Sequence, residues 1–172
     1  ADFYTTIRIG DDVYDVATNP GNHRGDGYYI TSTGPVELVI ELTNYNGGPI
    51  YIESANQLTY GDVVIPKIVV QGNCVINVPY GYDGYGIEYY GRTIPWMDIE
   101  FDDTFTDLYG DASLTIQGGG AGAVKVTGAT DWQTELDLDV TGPVGSSFKV
   151  NMESGEGVVL CHVNEDIAYK YG

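Results

Sequence analysis

The chain has 172 residues, 42% of them hydrophobic, enough for one domain to bury a core without a metal or a dense disulfide framework. Its 25 acidic residues against 7 Lys and Arg give a net charge of −18 and a pI near 4.1. Such a polyanion is repelled by phosphate backbones and anionic surfaces, which excludes nucleic acid as a partner. Membrane insertion is excluded separately, because no apolar stretch approaches the roughly 20 residues that span a bilayer.

Alternation of apolar and polar residues dominates from the start. Phe3, Thr5, Ile7 and Ile9 fall on one face of a first strand, and after Gly10-Asp11-Asp12 the segment Val13 to Val16 returns. Residues 1–18 therefore read as an N-terminal strand or hairpin. A polar, glycine-rich loop from Asn19 to Gly27 follows, containing Arg24-Gly25-Asp26, a cell-adhesion tripeptide short enough to arise by chance.

Tyr28 to Thr31 and Val36 to Leu42 resume the strand pattern, the latter with Val36, Leu38, Ile40 and Leu42 inward and Glu37 and Glu41 outward. Ile50 to Glu53 is short, and Asp62 to Gln71 is nearly all apolar and β-branched, with Pro66 marking a bulge, a bend or an edge. Gly72-Asn73 turns the chain into Cys74 to Val78. Further strands are predicted at Ile94 to Phe101, Ala112 to Gln117, Ala123 to Thr127, Thr134 to Thr141, Ser147 to Asn151, Val158 to Asn164 and Ile167 to Tyr171. Gly118 to Gly122 reads as a flexible connector, and only Glu53 to Leu58 could make a helical turn.

No repeat of roughly 20–50 residues is visible, which argues against a solenoid or a propeller. The expectation is a single all-β domain over residues 1–172, an antiparallel β-sandwich with a jelly roll as one form of it.

Catalytic signals are missing. His23 lies in a polar loop, His162 on a strand beside Cys161, and adjacent strand residues point to opposite faces, so no Cys–His pair forms. With 25 carboxylates some acidic pair is always available, so none is singled out. The expectation is a protein that is not an enzyme.

Three groups invite binding or structural roles. Tyr80, Tyr82, Tyr85, Tyr89 and Tyr90 alternate with glycine near Trp96, either as exposed platforms for sugar rings or a partner protein, or as rings covering the end of a sandwich. Asp98, Glu100 and Asp102 share one strand face without a cation nearby, which suits calcium, or simply a solvated face. Cys74 and Cys161 either close one disulfide, worth about 4–5 kcal/mol in the chain-entropy model, or remain buried thiols.

Ala1 in place of Met fits a removed signal peptide, although trimming leaves the same start. With 15 Tyr and 24 Gly, the composition leads to the expectation of an extracellular or cell-surface protein. The strand Phe3 to Ile9, placed at the terminus with no element before it, resembles the donor strands of extracellular pilus and fibril subunits. That resemblance implies a homopolymer of this chain built by strand complementation through Phe3, Thr5, Ile7 and Ile9. The Gly10-Asp11-Asp12 turn points instead to a local hairpin, and Ile167 to Tyr171 could serve equally as the exchanged strand. The alternative function is a carbohydrate-binding or adhesive module using the tyrosine-rich loop.

Overall fold

A computed structural model describes residues 4–15, 21–31, 38–54, 66–91, 96–128, 136–162 and 168–171. Two hairpins open the chain: β1 (Tyr4–Ile9) with β2 (Asp12–Asp15), and β3 (His23–Gly25) with β4 (Tyr28–Thr31). The chain then moves in triplets. The first is β5 (Val39–Thr43), β6 (Asn46–Gly47) and β7 (Ile50–Ser54); the second is β8 (Lys67–Gln71), β9 (Asn73–Val78) and β10 (Tyr85–Gly91). The third is β11 (Trp96–Phe101), β12 (Ser113–Gly118) and β13 (Gly122–Gly128), with the helix α1 (Thr106–Tyr109) between β11 and β12. The fourth is β14 (Asp137–Thr141), β15 (Ser147–Met152) and β16 (Glu156–His162), after which comes β17 (Ala168–Tyr171).

The members of a triplet do not pair with one another. Their first strands join in sheet I, ordered β14-β11-β8-β5-β4-β3, and their second strands in sheet II, ordered β15-β12-β9-β6. Their third strands join in sheet III, ordered β17-β16-β13-β10-β7-β1-β2. Among the described residues, all pairings between triplets are parallel, and only the two opening hairpins and β17 run antiparallel to their neighbours. Each triplet is thus one turn of a β-solenoid, and the turns stack along one axis.

This corrects the expectation of an antiparallel sandwich or jelly roll. The mostly-β content stands, but the reading against a solenoid does not. Alternation reports which face a residue takes, not the direction of the neighbouring strand. A bend such as Gly72-Asn73 reads as a hairpin turn, yet β8 and β9 on its two sides enter different sheets. The number of residues between one turn of the solenoid and the next varies and hides the repeat, because equivalent positions do not recur at a fixed interval.

Those equivalent positions form the core. Ile50, Ile87, Val124 and Val158 stack in one column of sheet III, Ile40, Ile68 and Ile99 in one of sheet I that ends on the exposed Val140, and Cys74, Leu114 and Phe148 in one of sheet II. Most of these side chains are fully buried, each worth about 1.5–3 kcal/mol. The inward Leu38, Ile40 and Leu42 agree with the sequence pattern.

β1 pairs with β2 on one edge and with β7 on the other, and Ile7 and Ile9 lie in the core. Phe3 lies outside the described residues, and Thr5 is described only as part of the β1 backbone. The two hairpins meet over the end of the solenoid. Tyr14 and Tyr28 share a hydrogen bond between hydroxyls, Tyr28 Oη donates to Asp12 Oδ2 at 2.5 Å, and the His23 ring stacks on Tyr14 at 4.4 Å.

Candidate functional site

The corner that carries the chain from sheet II to sheet III is built from Pro79 to Gly84 in one turn of the solenoid and Gly119 to Ala121 in the next. Pro79 lacks a backbone donor and ends β9, and the Tyr82 N–H closes a turn on the Pro79 carbonyl at 3.0 Å. Successive corners are stitched along the axis: Gly119 N–H donates to Val78 O at 2.9 Å, Ala121 N–H to Gly84 O at 2.8 Å and Glu156 N–H to Ala121 O at 3.0 Å. A Cβ on Gly119 would stand 2.9 Å from the Tyr80 Cα and 3.0 Å from its ring. The expected flexible connector is therefore a packed corner, glycine-rich because the next turn lies against it.

On this corner Tyr80 is 82% exposed, while Tyr82 rests partly buried against the core. Two hollows lie on either side of Tyr82. One, of about 330 Å³, is lined by Arg8, Asp11, Tyr51 and Tyr82 over the backbone of Gly48 and Pro49. The other, of about 430 Å³, is an open depression lined by Tyr80, Tyr82, Asp83 and Ser154 over Gly120 and Ala121. The Arg8 guanidinium lies over the Tyr51 ring at 4.5 Å, which fixes the wall of the first hollow.

The remaining aromatic candidates separate. Tyr85 covers the bare backbone of Gly122, where a Cβ would meet its ring at 2.6 Å, and takes Lys125 Nζ over its face at 5.3 Å. Tyr90 is half-buried on the outer side of sheet III, and Trp96 half-buried on that of sheet I. Tyr89 is fully buried in the core, and burial raises its phenol pKa. Of the aromatic residues singled out in the sequence, Tyr80 and Tyr82 stand at this corner, with Tyr51 and Arg8 beside them. The last two were missed because β7 and β1 are remote from the tyrosine stretch in sequence.

Asp98 and Glu100 project from the outer face of sheet I, with Asp102 just beyond β11. Glu100 pairs with Lys67 at 3.0 Å, and Asp102 accepts from Gln71 Nε2 at 3.0 Å and Thr104 N–H at 2.9 Å. Hydrogen bonds from Thr104 hold the Asp102 carboxyl below its usual range, whereas desolvation and the neighbouring Asp139 raise that of Asp98. Among the described residues no three metal-ligating side chains come together, so the calcium expectation gains no site here. Both cysteines are free: Cys74 points into the core from sheet II, and Cys161 stands in the outward row of sheet III beside Thr127. The expected disulfide is absent because the two thiols lie in different sheets, one of them on an outer face. Arg24 of the adhesion-like tripeptide lies over the Tyr29 ring at 4.6 Å.

Beside the corner, the outer face of sheet II is mostly uncharged and polar, with Val75 and Lys149 as the exceptions. Asn73, Ser113 and Ser147 form one row across the strands, Val75, Thr115 and Lys149 the next. In a third row Gln117 Nε2 donates to Asn77 Oδ1 at 3.0 Å and Asn151 continues the register, while Asn77 Nδ2 donates diagonally at 2.8 Å to Oδ1 of Asn46, which is in register with Val75. The sequence shows these only as ordinary outward residues of separate strands; parallel stacking makes them rows.

Comparison with known proteins leaves the fold and this geometry to speak for themselves: no protein-family model matches the chain, and neither a curated protein nor a solved structure shows significant similarity to it.

Proposed function

We propose that this β-solenoid is an extracellular adhesive module that binds carbohydrate at the corner carrying Tyr80 and Tyr82. The observation that carries the reading is the pair of hollows flanking Tyr82, with the largely exposed Tyr80 ring beside one and Tyr51 in the other. Aromatic faces stack on the apolar side of a sugar ring, and Arg8, Asp11, Asp83 and Ser154 offer donors and acceptors for its hydroxyls. Each hollow falls in the size range of small-ligand sites. The net charge of −18 disfavours anionic glycans and leaves neutral ones. Filament growth by exchange of β1 is not carried forward, since both its edges are paired within the chain.

Calorimetry of the full chain with cellotetraose, maltotetraose and chitotetraose tests the proposal. Binding of at least one of them, weakened about 3–10-fold by Tyr80→Ala and unchanged by Tyr90→Ala on the outer side of sheet III, is expected. Absence of binding to all three, or equal affinity in Tyr80→Ala, overturns it.

A further inference from the structure

The charges of this chain are unevenly distributed around the solenoid. Sheet I presents Glu41, Asp98, Glu100, Asp137 and Asp139 outward, and sheet III presents Glu53 and Glu88. The strands of sheet II carry no carboxylate at all; their single charge is Lys149. Among the described strands of a chain with 25 acidic residues, sheet II is the one sheet whose strands hold no carboxylate.

What replaces charge is an ordered array of amides and hydroxyls. The links Asn77 to Asn46, Gln117 to Asn77, and Ser113 Oγ to Asn73 Oδ1 at 2.8 Å hold these side chains to their neighbours in adjacent turns. A second anchor, the Asn73 N–H donating to Asn44 Oδ1 at 3.0 Å, ties the first row to the preceding corner. Side chains restrained in this way lose less rotamer entropy when a ligand engages their remaining donors and acceptors. Members of one row recur at the strand spacing of about 4.8 Å along the axis, and neighbouring rows stand roughly 6.6 Å apart along the strands. The face lacks the aromatic and arginine anchors that concentrate affinity at protein interfaces.

We infer that the sheet II face binds an uncharged polysaccharide, lying as an extended chain or as a polymer surface across successive turns of the solenoid. The inference rests on the carbohydrate reading of the adjoining corner for its ligand class and extends it from one or two sugar rings to a polymer. The electrostatics select the ligand. A neutral polymer meets no repulsion on this face, whereas a polyanion is repelled by the rest of the molecule and a polycation is drawn to the carboxylates of sheet I instead. Individually weak polar contacts become effective because a repeating ligand can occupy several turns together.

Co-sedimentation of the full chain with microcrystalline cellulose, insoluble β-1,3-glucan and chitin tests this, with soluble pectate as the anionic control. Retention on at least one neutral polymer, nearly independent of salt between about 0.05 and 0.5 M, is expected, with no binding to pectate. The double variant Gln117→Glu/Asn151→Asp, which adds carboxylates at two exposed positions, should weaken retention about ten-fold while leaving tetrasaccharide binding at the corner intact. A neutral companion, Gln117→Ala/Asn151→Ala, should weaken it as well and keeps the result readable if the acidic pair fails to fold. Tetrasaccharide binding without retention on any polymer overturns the sheet II inference and leaves the corner standing. Polymer retention that survives both double variants, or a chain that sediments alone because copies pair through this face, overturns it too. Loss of tetrasaccharide binding in the wild-type chain, with retention lost only in the sheet II variants, sinks the corner reading instead.

Discussion

Tyr45 is 3% exposed, and its hydroxyl donates to the Gly48 carbonyl at 2.8 Å. Burial first, then the charges of Asp12 and Asp11, push its phenol up from 10.0 to about 12. Because the folded value is raised, the stability this neutral phenol contributes is fully present below pH 10 and is lost as pH rises from 10 through about 12. Fully lost, it amounts to roughly 2–3 kcal/mol. Tyr45→Phe should cost about 1 kcal/mol at pH 7 through the missing hydrogen bond. In urea unfolding the gap to wild type should narrow above pH 10 and close near pH 11; a constant gap would show that Tyr45 does not titrate with unfolding. Asp98 has the opposite consequence at neutral pH. Its carboxyl is raised by desolvation and by Asp139, so its contribution is present only below the ordinary carboxylate range and is lost as pH rises through the folded value. Asp98→Asn should therefore raise Tm at pH 7 by about 1–2 °C and have no such effect near pH 3, measured by scanning calorimetry.

At the level of elements, most strands were legible in the sequence and their partners were not. The alternation in Val36 to Leu42 identifies an inward face that the core confirms at Leu38, Ile40 and Leu42. Nothing in that alternation says that β5 pairs in parallel with β8, because side-chain period is the same in both kinds of sheet. Corners carry the missing information. Gly72 has φ +70, and a Cβ there would stand 2.2 Å from Asn44 Oδ1, the atom that accepts from the Asn73 N–H. That contact exists only because the corner of one turn sits on the corner before it. Gly72→Ala should destabilise the fold by about 1–3 kcal/mol through strain and the displaced amide, read as a lower urea midpoint with unchanged m-value. A loss below about 0.5 kcal/mol would mean the corner relaxes freely. The same stacking explains the tyrosine stretch. It reads in sequence as one run of tyrosine and glycine, yet a bend at Pro79 to Gly84 leaves Tyr80 outside, and β10 carries Tyr89 into the core.

For the whole molecule, the net charge of −18 sets the response to salt. Carboxylates of successive turns stand in line on sheet I, where Asp98 of β11 is beside Asp139 of β14, and their repulsion is screened more strongly as ionic strength rises. Tm should rise by several degrees between about 0.01 and 0.5 M sodium chloride, and a fall would show that ion pairs such as Lys67–Glu100 outweigh self-repulsion. The sequence by itself determined the β content, the polyanionic surface, the inward face of the clearest strand and the unusual tyrosine–glycine segment. Each follows from composition or from a period of two residues. Only the tertiary structure decided that the strands run parallel in three sheets, that β1 is held on both edges, that the cysteines stay apart and that the amides of sheet II form rows. All four depend on which turn lies against which. That is set by side-chain fit along the solenoid axis, between residues that stand at unequal intervals in the linear chain.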